Sequence, residues 1–354
     1  MDREYLMSAD AEILFERRGR IGLVTLDRPA ALNALTEAMV VALAEKLREW
    51  QHDDAVAAVV VRGNGRAFCA GGDVRRAYDV GRDGTPLTTF FRDEYRLNAA
   101  VRHFPKPYVA LVHGYVMGGG AGISVHGSHR VFAEDAVFSM PETGIGFFPD
   151  VGVSHALARL PHEIGVYCAL ASARLARGDS FHAGIATHAA PAGDFDAIVE
   201  GLASTGDVDA VLAPYAPQDI APETLGAVDA EIERIFATGG VEAILARLDA
   251  AEGPHALFAE KAAADIRTKS PTSLKVTLRQ VRAARELSFD DCIRLDYRIA
   301  SHILTGHDFY EGVRAALVDK DRQPRWRPAG LAEVDARAVE AHFVTPADGD
   351  LELE

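Results

Sequence analysis

The chain has 354 residues, 48% of them hydrophobic and 25% charged, with a formal net charge of −15. That length buries a large core in one long domain or in two. So acidic a chain leaves no basic stripe to meet phosphates, which excludes a general nucleic-acid binder but still allows a phosphorylated ligand met by a few local Arg or Lys side chains.

Three cysteines, Cys69, Cys168 and Cys292, are too few and too scattered for a disulfide framework or a zinc site, and read as small buried residues. No stretch reaches the uninterrupted apolar length of a membrane helix, so no membrane partner is expected. The opening residues MDREYLMSAD lack both the apolar core of a signal peptide and the Arg-rich, acid-poor make-up of a transit peptide, and the expectation is a cytoplasmic protein.

In chain order, Ile13–Arg17 and Ile21–Asp27 alternate around Arg18-Gly19-Arg20 and predict a β-hairpin. Pro29 forces an extended turn in RPAALNAL, and Thr36 caps a helix from about Glu37 to Gln51. Ala55–Arg62 is a valine-rich buried strand. A second strand, Ala67-Phe68-Cys69, ends in the turn Ala70-Gly71-Gly72, with Asp73 placed to cap the segment after it. Thr85–Arg102 carries helical spacing, with Asp93 and Glu94 inside it. The apolar run Tyr108–Val112 leads through His113-Gly114-Tyr115 to Gly118, Gly119 and Gly120, after which Ile123 and Val125 fit the first turns of a buried helix. Short strands follow at His129–Ala133 and Ala136–Met140. Then comes a loop rich in Gly, Pro and aromatics, Pro141–Asp150, and a helix in two pieces over Val151–Ala171, broken at Pro161. Repeated strand-turn-helix units of this kind predict an α/β domain with stacked sheets over residues 11–190. Beyond about Ala190 strand signals vanish. Helices at Ala256–Thr268, Thr272–Arg285, Phe289–Thr305 and Asp308–Leu317 predict a helical C-terminal region over 191–330, with a tail, 331–354, whose end is frayed.

A glycine triplet at a strand-to-helix turn lets a ligand or another chain approach the backbone, and the N–H groups at the helix start suit a developing negative charge. In isolation it reads rather as a tight turn with close helix–strand packing. Other motifs are missing. Gly152-Val153-Ser154-His155-Ala156 fails as a nucleophile elbow at its fifth position. No P-loop is present. Gly144-Ile145-Gly146 has Pro149 where a dinucleotide fingerprint needs its third glycine. The histidines make no HExxH, and His126 and His129 read as structural rather than as metal ligands.

Taken together and in order, AFCAGGD, HGYVMGGGAG and MPETGIGFFPD resemble the enoyl-CoA hydratase/isomerase (crotonase) superfamily. RPAALNAL, FFRDEYRLN, KPYVALVHG, GIATH, SPTSLKVTLRQ and GHDFYEGVRAALVDKD extend the resemblance, from about Glu12 to Pro328, to its 3-hydroxyisobutyryl-CoA hydrolase branch. It implies a crotonase (ClpP/crotonase-like) α/β fold of repeated ββα units. It also implies hydrolysis of an acyl-CoA thioester, as in valine breakdown, with no metal or redox cofactor, CoA being part of the substrate.

Residue by residue, the resemblance places the two backbone N–H groups that hold the thioester oxygen at Gly72 and Gly119. The hydratases carry two catalytic glutamates; here the first position is Gly122, which has no side chain, and the second is Glu142. Asp150 stands where typical hydratases have glycine. Losing one member of the acid–base pair and gaining an acid elsewhere favours chemistry at the thioester carbonyl, with Glu142 as general base or as nucleophile. Asp150 is implied to place the substrate's hydroxyl or the attacking water, and doubles as a helix cap. Glu94 is implied to line the substrate site. Ala31, Leu32, Ala70 and Gly72 match the CoA-contacting turns, with Arg28, Arg66 and Lys106 near them as candidates for the phosphates. Two other readings stay open: an enoyl-CoA hydratase or isomerase, and a CoA-binding homologue without chemistry. The superfamily often forms trimers, which leaves a homo-oligomer open.

Overall fold

A computed structural model describes residues 4–5, 12–82, 84, 86–216 and 220–353. Most of the opening stretch behind the targeting expectation, and Thr85, lie outside the described residues. The chain runs through β1 (Glu4–Tyr5), β2 (Ile13–Arg18), β3 (Ile21–Leu26), α1 (Glu37–Trp50), β4 (Ala58–Gly63), β5 (Ala67–Cys69), α2 (Val74–Gly81), α3 (Thr88–Arg102), β6 (Tyr108–Val112), β7 (Tyr115–Met117), α4 (Gly119–Gly122), β8 (His129–Phe132) and β9 (Val137–Ser139). It continues through α5 (Val153–Leu157), α6 (Ile164–Ala171), α7 (Arg177–His182), β10 (His188–Ala189), α8 (Phe195–Thr205), α9 (Val208–Leu212), α10 (Asp229–Phe236), α11 (Val241–Asp249), α12 (Ala256–Arg267), α13 (Pro271–Ala283), α14 (Phe289–Ile303), α15 (Asp308–Val313) and α16 (Ala336–Glu340).

A seven-stranded sheet has the order β1-β2-β3-β4-β6-β8-β10, and a three-stranded sheet the order β5-β7-β9. The predicted hairpin is β2–β3, paired antiparallel from Ile13↔Leu26 to Arg18↔Ile21. From β3 onward the large sheet is parallel. Its central strands β4 and β6 are buried almost throughout, which is why they read as unbroken apolar runs rather than as alternation.

The elements gather into two compact units interleaved along the chain. The first takes the described residues of Met1–Gly72, Arg96–Phe138 and Leu175–Glu223; the second takes Asp73–Tyr95, Ser139–Arg174 and Thr224–Glu354. Residue 190, the boundary expected from composition, lies inside the first unit. The reason is packing: Phe195, Ile198, Val199, Leu202, Val208 and Leu212 of α8 and α9 close one face of the large sheet over Ile21, Leu23, Val60, Val109, Leu111 and Val131. A sheet face that apolar has to be covered, and the amphipathic helices after residue 190 cover it.

Two local expectations are corrected. The helix after the glycine triplet is one turn long, so Ile123 and Val125 lie in the turn beyond it. Ser124 Oγ donates back to Gly120 O (2.7 Å), competing with the helical ladder at that point. The end of the chain is docked rather than frayed: Leu351 is buried, Asp350 pairs with Arg298, and Asp348 lies 3.3 Å from Arg92.

Candidate active site

In the first unit, the turn Arg28–Leu35 is knotted to the end of β5 by one buried side chain. Asn33 Nδ2 donates to Asn64 O (2.9 Å), Ala67 O (2.8 Å) and Phe68 O (3.1 Å), while its Oδ1 accepts from Arg28 N (2.8 Å). Leu32 and Asn33 both have φ in the left-handed region, at 51° and 57°, a conformation that asparagine tolerates better than most residues. Ala70 N then donates to Leu32 O (3.0 Å) and Leu35 N to Gly71 O (2.8 Å). The four residues matched to CoA contact, Ala31, Leu32, Ala70 and Gly72, are thereby brought onto two adjoining turns. Because the Leu35–Gly72 bridge uses the carbonyl of Gly71, the Gly72 N–H faces away from Leu35. Gly71 has φ +128°, which only glycine adopts readily.

The glycine triplet has a separate reason at each end. Gly118 sits at φ 47°, ψ −124°. At Gly120 a Cβ would fall 2.3 Å from Cys69 O, so α4 lies directly on β5. Gly119 opens the turn of α4, where an N–H has no acceptor within the helix. Of the basic residues near these turns, two are already engaged. Arg28 Nε pairs with Glu12 (2.6 Å) and its Nη1 donates to Ala34 O (2.9 Å); Lys106 Nζ donates to Trp50 O and Asp53 O, both at 2.7 Å. Arg66 is exposed.

Among the described residues of the second unit, five acids are buried: Glu94, Glu142, Asp150, Asp296 and Asp308, the last accepting from Ser270 Oγ at 2.6 Å. Glu142 opens a 3₁₀ turn, Glu142–Ile145. That turn is fixed from two sides. A Cβ on Gly146 would lie 2.2 Å from Asp308 O, and one on Gly312 would lie 2.3 Å from the Ile145 carbonyl carbon, so α15 meets the loop backbone to backbone. Phe147 anchors it further, its ring centroid 4.7 Å from Phe148, 5.3 Å from Phe91 and 5.5 Å from Phe309. The result is a rigid Glu142 whose Oε2 is buried without a hydrogen-bond partner among the described residues, as is Glu94 Oε1. Burial, then the charges of Asp150 and Glu94, hold the Glu142 carboxyl well above the ordinary carboxylate range. Glu94 is raised likewise, by burial and then by Asp150.

Asp150 Oδ2 accepts from Tyr95 Oη at 2.8 Å. Burial pushes its carboxyl up to about 7, against the lowering effect of that hydrogen bond. The expectation that Asp150 caps a helix meets a different geometry. Its carbonyl accepts from Val153 N (3.0 Å), while Val151 and Gly152 both take left-handed φ, 53° and 73°, before α5 begins at Val153. The Gly152 N–H goes instead to Asp296 Oδ2 (2.8 Å). Among the described residues no group of three His, Cys, Asp or Glu side chains is set to hold a metal ion.

The sequence reading missed Tyr95, Gln280 and Asp296. Tyr95 passed as one more apolar residue of α3. Asp296 did leave a signal: it is a lone acid within the buried stripe Phe289, Cys292, Ile293, Ile299, Ala300 and Ile303 of α14.

A family model described as enoyl-CoA hydratase/isomerase matches residues 21–343. The chain belongs to the enoyl-CoA hydratase/isomerase family. Among its relatives, the mitochondrial 3-hydroxyisobutyryl-CoA hydrolase of Danio rerio is 41% identical, the match covering 99% of this chain and 94% of that protein. The enzyme of the same name from Gallus gallus is 42% identical over 97% and 91%. A solved structure described as a carnitinyl-CoA dehydratase from Mycobacterium thermoresistibile superposes with TM-score 0.91 at 41% identity, covering 98% of this chain and 99% of that one. The family's crotonase fold is therefore the fold of this chain, as its motifs predicted. Both relatives are named mitochondrial, which lends no support to the cytoplasmic expectation. Among the described residues, no helix is long and apolar enough to cross a membrane.

Proposed function

We propose that this chain hydrolyses 3-hydroxyisobutyryl-CoA to 3-hydroxyisobutyrate and free CoA, a step of valine breakdown. The observation that carries the reading is the presence in the same unit of a buried Glu142, whose Oε2 has no hydrogen-bond partner among the described residues, and a buried Asp150, while Gly122 leaves no second glutamate at the end of α4. The names of the two hydrolase relatives support it.

Glu142 acts as general base on a water molecule. Burial raises its proton affinity above that of an ordinary carboxylate, which brings it closer to the task of taking a proton from water near neutral pH. The hydroxide so formed adds to the thioester carbon, and the Gly72 and Gly119 amides hold the oxygen as it becomes negative, each such donor contributing on the order of 10²–10³ in rate. Collapse breaks the C–S bond, and the departing thiolate takes up a proton to leave as CoA. Asp150, oriented by Tyr95, accepts a hydrogen bond from the substrate's 3-hydroxyl, and Glu94 lines the acyl site. Ala31, Leu32, Ala70 and Gly72 contact the CoA moiety, and no further cofactor takes part.

The dehydratase description of the Mycobacterium thermoresistibile structure keeps hydration as the rival reading. Free-thiol release from 3-hydroxyisobutyryl-CoA, run beside 3-hydroxypropionyl-CoA, isobutyryl-CoA and crotonyl-CoA, decides between them. Fast release from the two hydroxylated substrates is expected. Loss of crotonyl absorbance without thiol release would assign the chain to hydration instead.

A further inference from the structure

Asp150 sits in a turn that is unfavourable on its own. Val151, a β-branched residue, and Gly152 follow it with φ of 53° and 73°, and a β-branched side chain resists the left-handed region. Two side chains from α13 and α14 hold that turn from beneath. Gln280 Nε2 donates to Pro149 O at 2.9 Å and to Asp296 Oδ1 at 2.7 Å. Asp296 Oδ2 accepts from Gly152 N at 2.8 Å. The carbonyl just before Asp150 and the amide two residues after it are thus tied to one buried pair, and both members are fully inaccessible to solvent. The orientation of the Gln280 amide follows from its partners: Pro149 O and Asp296 Oδ1 are both acceptors, so the nitrogen faces them. Its Oε1 is left buried and unpartnered among the described residues, a cost the fold carries in order to keep both donations. There is little slack in the turn, since a Cβ on Gly152 would fall 2.7 Å from the Phe289 ring of α14.

We propose that Gln280 and Asp296 are positioning residues for acyl selectivity, clamping the Pro149–Gly152 turn so that the Asp150 carboxyl stays where a 3-hydroxyl can reach it. This rests on the assignment of Asp150 to the substrate's hydroxyl. Neither residue touches the substrate. Tyr95 orients the carboxyl itself, whereas Gln280 and Asp296 fix the backbone that carries it. A thioester without the hydroxyl makes no use of that placement, so loosening the clamp affects the two substrate classes unequally.

The test measures kcat and KM for thiol release from 3-hydroxyisobutyryl-CoA and from isobutyryl-CoA with the full-length protein and its Gln280→Met variant, which keeps the volume and removes both donations. The ratio of the two kcat/KM values is expected to fall about tenfold, as for loss of the one hydrogen bond between the substrate's 3-hydroxyl and a displaced Asp150, through a higher KM for the hydroxylated substrate. Values for isobutyryl-CoA should stay within about twofold. Adding Val151→Gly removes the conformational resistance that the clamp opposes and is expected to restore part of the ratio. Where Gln280→Met does not fold, Asp296→Asn keeps the shape and, with its amide oxygen on Gln280 Nε2, turns an NH2 rather than an acceptor toward Gly152 N, so it releases that end of the clamp and carries the same expectation. An unchanged ratio, or equal losses on both substrates from a folded variant, overturns the clamp. A wild-type protein with no preference for the hydroxylated substrate overturns the assignment of Asp150, and the clamp with it.

Discussion

Glu142 and Asp150 are both held out of water, and they differ in what the fold leaves them. Glu142 keeps an unpartnered oxygen, whereas Asp150 is already engaged by Tyr95. Replacing Glu142 by Gln preserves shape and removes the carboxylate proposed as the base. Thiol release should fall by roughly 10²–10⁴, with the melting temperature unchanged or higher because an ionisable group has left the interior. Near-normal kcat in that variant would remove Glu142 from the chemistry. For Asp150 the ionised form is the better acceptor of a substrate hydroxyl, so kcat/KM for hydroxylated substrates should rise as pH passes through about 7. Tyr95 donates to that carboxylate and lowers its pKa. Tyr95→Phe should therefore move the rising limb to higher pH, with several-fold more activity lost at pH 6.5 than at pH 8.5. A limb that stays in place would mean that another group titrates there.

At the level of elements, the glycines divide between freedom of φ and closeness of approach. Gly118 is needed for its backbone angles, whereas Gly120 is needed for space, because α4 rests on the Cys69 carbonyl of β5. A methyl group at Gly120 cannot be absorbed by rotating a side chain, since its nearest neighbour is backbone. Gly120→Ala should cost about 1–3 kcal/mol of stability, read from urea unfolding, and should lower kcat further by displacing the Gly119 amide. Unaltered stability would show that α4 can lift off the strand. Gly146 and Gly312 follow the same logic where α15 meets the turn of Glu142.

For the molecule as a whole, the buried acids oppose stability. Folding raises the Asp150 carboxyl from an ordinary 3.8 to about 7. Between those values the folded chain holds a proton that the unfolded chain has released. Its contribution therefore falls as pH rises from the ordinary carboxylate range to about 7, and levels off beyond. Asp150→Asn should raise the melting temperature of the substrate-free protein at pH 8 and leave it nearly unchanged at pH 3. Equal effects at both pH values would show that the gain has nothing to do with charge. The docked C-terminus works in the opposite sense, adding the buried Leu351 and the Arg298–Asp350 pair to the second unit.

Local chemistry was legible in the sequence. The Thr36 and Asp73 caps form as read, accepting from Met39 N (3.3 Å) and Arg76 N (3.2 Å). The hairpin, the buried strands and the C-terminal helices follow from periodicity, and the ordered glycine and acid motifs pointed to the family. What depends on contacts between distant residues was not legible. Composition put a boundary near residue 190, but α8 and α9 belong with the sheet whose apolar face they close. Nothing in the neighbourhood of Asp296 or Gln280 indicates that they hold a turn more than a hundred residues earlier. The sequence by itself determined most of the elements, which rest on local propensity and spacing, and the ordered motifs that carry its resemblance to the family. The tertiary structure alone decided which acids share a dry interior, and so which of their pKa values rise, because desolvation and hydrogen bonding belong to the packed chain.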